Sequence, residues 1–154
     1  MTERERRLEE YRSGSADVES ALSGLTDEAL DLRPADGGWT AREVVHHLAD
    51  METHAFIRLR QMIAEDRPML AGHDDMAYSR RLHYDRPIEP SLAVVRAVRE
   101  ASLELLEVLT PAEWHRSATH PKLSPYDVEV WLRIYAEHPH AHADQIRAAT
   151  ARAL

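Results

Sequence analysis

The segment Glu137–Ile146, EHPHAHADQI, sets His138 and His142 four residues apart. At about 100° per residue, a helix over residues 126–152 gathers Trp131, Ile134, Tyr135, His138, His142, Gln145 and Ala149 into one stripe. His138 and His142 flank the centre of that stripe, and His140 between them turns toward solvent. Two inward imidazoles on one helix suit a metal ion. Pro139 lies between the pair; it cannot donate to the Tyr135 carbonyl and its ring crowds it, so a bend is expected there, with water satisfying the freed oxygen.

A second helix supplies the partner. Thr40 with Glu43 three residues on reads as a capping box, opening a helix to about Glu65. Its apolar face runs through Ala41, Val44, Leu48, Met51, Ala55, Leu59 and Met62. His47 falls roughly 80° from the centre of this face and His46 roughly 180° from it, so of the two only His47 looks inward. Packing the two helices together brings His47 opposite His138 and His142. Three neutral nitrogen ligands with an open position make the coordination of a catalytic site. From the residues alone, three core or rim histidines bonded to carboxylates or carbonyls explain the pattern equally well.

Two further long helical patterns complete the chain. One runs from about Glu3 to Ser23, its stripe interrupted by Gly14, and another from about Glu89 to Leu109, stopping before Pro111. Asp74 to Leu82 can form a short helix inside the polar link 66–87, and Pro111 to Trp114 a short turn. The link 66–87 is long for a bundle turn and can cross the bundle from end to end, so the second and third long helices need not be antiparallel neighbours. Ser124 and Pro125 read as the cap and first-turn proline of the last helix. No alternating strand pattern competes, and the fold class is all-α, with residues 1–154 forming one domain.

Composition removes several functions. Twenty-seven acidic against 19 basic residues give a net charge of −8, and the basic residues near the N-terminus are interleaved with glutamates. A nucleic-acid partner, which needs clustered Lys and Arg, is therefore not expected. There is no cysteine, so thiol chemistry must use an external thiol. No apolar run approaches the length of a membrane span or a signal peptide, and a cytoplasmic location without membrane contact is expected. Trp39, Trp114 and Trp131 read as core anchors. His73, His83, His115 and His120 fall in links and are not assigned as ligands.

Three stretches together, GGWTAREVVHHLADME (37–52), LTPAEWHRSATHP (109–121) and YAEHPHAHADQI (135–146), resemble the DinB-like superfamily, which includes bacillithiol transferases and mycothiol-dependent enzymes. The resemblance implies a four-helix bundle with a crossover connection, often dimeric, holding a divalent metal through three histidines. These map onto His47, His138 and His142. The chain departs from the family pattern before the last helix, where Lys122 to Tyr126 replace a glycine and a following threonine or serine. It departs again after Asp74 and Asp75, where Met76, Ala77 and Tyr78 stand in place of tryptophan.

On this reading no side chain is itself the nucleophile; a thiol or a water on the ion is. Zinc is the first expectation, then nickel, iron or manganese. Glu43 and Asp50 are candidate acceptors for an imidazole N–H. His54, Arg58 and Tyr78 are candidates to line a pocket, and His54 and Arg58 to meet an anionic thiol cofactor. The leading expectation is a metal-dependent S-transferase activating a low-molecular-weight thiol for a small-molecule substrate, working as a homodimer. The alternatives are a metal-dependent hydrolase of a small amide or ester and a noncatalytic dimeric metal-binding module.

Overall fold

Three helices begin in the same way. Thr2, Thr40 and Thr110 each accept a backbone N–H three residues on, and Glu5, Glu43 and Glu113 bond back to the cap's own N–H. The computed structural model describes residues 1–153. In chain order the helices are α1 (Glu3–Leu22), α2 (Asp27–Leu30), α3 (Ala41–Ala64), α4 (Asp75–Arg81), α5 (Glu89–Glu107), α6 (Pro111–Trp114) and α7 (Val128–Thr150). There is no strand among the described residues, only isolated bridges between Met69 and Thr119 and between Ser117 and Asp127.

The four long helices α1, α3, α5 and α7 form the bundle. α1 packs on α7 and α5, and α3 packs on α5 and α7. The consecutive pair α1 and α3 therefore stands on one diagonal, and α5 and α7 on the other. α3 and α5 pack side by side and run parallel, His46 meeting Ser91 near their starts and Arg60 meeting Ser102 toward their ends, so the link 65–88 crosses the bundle from end to end as its length implies. Residues 23–40 and 108–127 make the diagonal passages.

α7 also begins later than Ser124 and Pro125 imply. The Asp127 carboxylate accepts the Val130 N–H at 2.9 Å and is the cap. Just before it, Ala118 donates to the Tyr126 carbonyl at 3.0 Å and Val128 to that of Arg116 at 3.3 Å. This pairing with the preceding link holds the chain extended up to Asp127, so helix cannot start sooner.

Two apolar clusters fill the bundle. One is built around Tyr11, Leu59, Met62, Trp114, Trp131 and Leu132, the other around Val18, Val44, Leu48, Val95 and Ile146. Buried polar groups meet within the bundle: the Arg99 guanidinium bonds Glu52 on α3 at 2.9 Å, the Tyr135 carbonyl on α7 at 3.0 Å and the Tyr11 carbonyl on α1 at 2.6 Å. α7 continues through Pro139. The carbonyl that Pro139 leaves without a helical donor thus takes its hydrogen from Arg99, where water had been expected. Gly14 makes room for this arrangement. A Cβ there would stand 2.4 Å from Pro139 Cγ and 2.8 Å from Arg99 Nη2, so the gap in the α1 stripe is a point of close helix approach.

Candidate metal centre

α3 and α7 pack side by side, and this brings His47, His138 and His142 together. One nitrogen from each ring lies within 4.8 Å of the other two. The ring centroids are 4.7 Å apart for His138 and His142, 4.8 Å for His47 and His142, and 5.9 Å for His47 and His138.

Each ring on α7 is held from behind. His138 Nδ1 bonds the Glu52 carboxylate at 3.0 Å and His142 Nδ1 bonds Gln145 Oε1 at 2.8 Å. Both Nδ1 atoms therefore carry the proton, and both Nε2 atoms keep their lone pairs for an ion. His47 is buried, packs against Trp39 with the two rings tilted and their centroids 4.5 Å apart, and its Nδ1 has no hydrogen-bond partner. Burial, with the other two rings close by, holds the His47 imidazole down at about 3 and that of His142 at about 4. Both rings are neutral at physiological pH, with lone pairs to offer. A divalent ion requires unpaired nitrogens converging from oriented rings, and the three imidazoles fit it.

The centre opens on a cavity of about 240 Å³ lined by His47, His138, Tyr135, Arg58, His73 and His120, with Met51, Ile134, Asp75 and Lys122 completing the wall. Arg58 thus reaches the cavity. His54 and Tyr78 stand behind it: the His54 ring stacks on His73 at 4.1 Å and its Nε2 is 3.2 Å from the Tyr78 hydroxyl.

Other expected placements differ. Glu43 closes its capping box and binds Arg33 at 2.7 Å, and Asp50 accepts the Tyr84 hydroxyl at 2.6 Å; neither reaches an imidazole of the triad. Glu52 and Gln145 hold the rings instead. Gln145 lay on the α7 stripe, and Glu52 is a carboxylate on the apolar face of α3, a signal that a search for apolar positions passes over. His46 is fully buried, bonded to Ser91 Oγ at 2.8 Å and the Arg86 carbonyl at 2.9 Å, because the start of α5 covers the face expected to be open. His140 is also turned into the protein, where Asp17 at 2.6 Å and the Glu10 carbonyl at 3.0 Å receive it on α1. Trp131 and Trp114 are core residues, whereas Trp39 covers His47. His73 and His120 lie outside the triad but line its cavity.

The bundle and its centre define a class, the helical-bundle proteins with an inward three-histidine site open on one side. The DinB superfamily model matches residues 10–146, and the chain belongs to that superfamily. It is 33% identical over 129 residues to "Putative metal-dependent hydrolase OB0782" of Oceanobacillus iheyensis, covering 84% of this chain and 75% of that protein. It is 34% identical over 134 residues to "Putative metal-dependent hydrolase YfiT" of Bacillus subtilis, covering 85% and 75%. The solved structure of YfiT superposes with a TM-score of 0.90 at 28% identity, over 99% of this chain and 90% of that one. That protein is described as "a probable metal-dependent hydrolase with an unusual four-helix bundle topology", and the diagonal connections found here make the same fold.

Proposed function

We propose that the protein is a metal-dependent S-transferase, in which a divalent ion on His47, His138 and His142 activates a low-molecular-weight thiol against a small electrophile. The observation that carries this reading is the pairing of three imidazoles, with no fourth histidine or carboxylate grouped with them among the described residues, with a cavity at their open side. A structural zinc site closes its coordination with a fourth protein ligand, so the arrangement favours chemistry over a structural role.

When bound, the ion supplies Lewis acidity that brings the pKa of a thiol or a water toward neutrality. Zinc is the first choice, then nickel, iron or manganese. The chain's residues do the rest. Glu52 and Gln145 fix the tautomers of His138 and His142, Trp39 shields His47 from water, and the cavity wall orients the substrates. In the transfer, the thiol sulfur forms a bond to the electrophilic carbon, the leaving group departs with its electron pair, and the thiol proton passes to solvent. In this reading the protein acts in the cytoplasm as a homodimer. No helix among the described residues is long and apolar enough to cross a membrane.

The names of the relatives favour a second reading, in which water replaces the thiol and a small amide or ester is hydrolysed. One experiment separates the two. Untagged protein of measured metal content is incubated with chlorodinitrobenzene and with p-nitrophenyl acetate, each with and without free cysteine, and the products are identified by mass. S-transfer requires the thiol and yields the thioether. Turnover of the ester alone, indifferent to thiol, establishes hydrolysis. A His138→Ala and His142→Ala double variant with unchanged metal content removes the basis of both.

A further inference from the structure

The two terminal nitrogens of the buried Arg58 are treated differently by the protein. Nη2 donates to the Ala71 carbonyl at 2.8 Å and lies 3.5 Å from His73 Nδ1. His73 Nε2 faces the Asp75 carboxylate at 3.0 Å, so the ring proton is on Nε2 and Nδ1 is free to accept. Nη1 has no carbonyl or carboxylate within bonding distance among the described residues; His120 Nε2 lies 3.4 Å from it, and the hydroxyls of Tyr126 and Tyr135 adjoin the guanidinium.

The His120 nitrogen cannot accept. His120 Nδ1 already receives the backbone N–H groups of Lys122 at 3.0 Å and Leu123 at 3.1 Å, which places the imidazole proton on Nε2. A guanidinium N–H and an imidazole N–H thus meet on one wall of the cavity with no carbonyl or carboxylate between them among the described residues, only neutral hydroxyls nearby, and Lys122 joins them on that wall. Donors left unmet in a partly buried site carry a desolvation cost that an anionic ligand removes. The one carboxylate among the lining residues, Asp75, is engaged by His73.

We propose that Arg58 Nη1, His120 Nε2–H and Lys122 form a subsite for a carboxylate carried by one of the two small molecules that react at the three-histidine centre. The proposal rests on the reading of that centre as an active site, since both line the same cavity. A carboxylate suits the wall better than a phosphate dianion. Arg58 and Lys122 set against Asp75 leave a single net positive charge, and a flat pair of oxygens fits two neighbouring N–H donors.

The test uses metal-free, nitrogen-15-labelled protein titrated with propionate and with neutral propionamide. Propionate is expected to shift the Arg58 side chain and the Lys122 and Leu123 amides saturably, and propionamide to leave them unmoved. Losing a charge-assisted hydrogen bond, Arg58→Gln weakens propionate about tenfold or more, and Lys122→Gln about threefold. Lys122 is exposed, so its variant carries the comparison if Arg58→Gln does not fold. The imidazole nitrogen spectrum reads His120 directly, as the Nε2–H tautomer. Equal response to the two probes, no response to propionate, or an Nδ1–H tautomer overturns the subsite.

Metal uptake is measured separately on the same protein. Propionate binding without metal uptake overturns the proposed catalysis alone, and metal uptake without propionate binding overturns the subsite alone. With metal restored, mercaptopropionate against mercaptoethanol and chloroacetate against chloroacetamide show which reactant bears the carboxylate, through a lower KM for the charged member of one pair. Equal KM values within both pairs overturn the subsite.

Discussion

Arg99 and Pro139 sit on diagonal helices, yet they share one acceptor: Pro139 lacks the N–H that would bond the Tyr135 carbonyl, and Arg99 Nη1 occupies that carbonyl at 3.0 Å. The same guanidinium binds Glu52, which in turn holds His138. A helix defect, a buried ion pair and a candidate ligand are therefore one connected structure, and the polar layer of the bundle runs into the three-histidine cluster.

Removing Arg99 leaves the Glu52 carboxylate and the Tyr135 carbonyl buried and short of donors. Arg99→Ala is expected to destabilise the fold by about 3–5 kcal/mol, the cost of breaking a buried pair from one side. Urea unfolding followed by circular dichroism measures it. A loss below about 1 kcal/mol, the level of an exposed pair, contradicts this account.

Gly14 tests the helix contact. Gly14→Ala forces a methyl group into the space of the Pro139 ring, and a cost of about 1–3 kcal/mol follows from overpacking. Because the clash is specific, pairing it with Pro139→Ala recovers part of the loss. Additive losses in the double variant show that the two residues do not meet.

Glu52 and Gln145 hold the rings of His138 and His142 through their Nδ1 atoms. Glu52→Gln and Gln145→Met are expected to lower zinc affinity by about 10–100-fold, as removal of such partners does elsewhere, measured by competition with a chelating indicator. His46→Gln is the contrasting variant. It loses the bonds to Ser91 and Arg86 and costs stability, but its zinc affinity stays at the wild-type value. Loss of zinc from that variant argues that the wrong member of the histidine pair has been assigned.

Acid reports on the same rings. His47 and His142 are held to about 3 and about 4, both below the ordinary imidazole value of 6.5. Above 6.5 they are neutral in both the folded and the unfolded chain and contribute no pH dependence. As pH falls below 6.5 the unfolded chain binds protons that the folded chain resists, so stability declines progressively toward about 3. The Tm of metal-free protein is therefore expected to be level above neutrality and to drop between about pH 6 and 4. Replacing His47 and His142 by Gln flattens that drop. A Tm that rises on acidification excludes the neutral-ring assignment.

Helical periodicity and capping residues determined much of this protein. The 3.6-residue repeat placed His47, His138 and His142 on inward faces, and these are the three rings the folded chain brings together. Thr40 with Glu43 marked the start of α3, since a capping box is a local interaction within one turn. Tertiary structure decided the rest, because it depends on which surfaces meet. A helix wheel shows the side on which His46 and His140 lie, but not that α5 and α1 cover those sides. Burial of Glu52 and the use of Arg99 to satisfy the carbonyl freed by Pro139 require the diagonal passage of 23–40 and 108–127, whose path no local preference encodes. The cavity wall of Arg58, His73 and His120 is likewise drawn from segments far apart in the chain, and only packing gives those side chains a common surface.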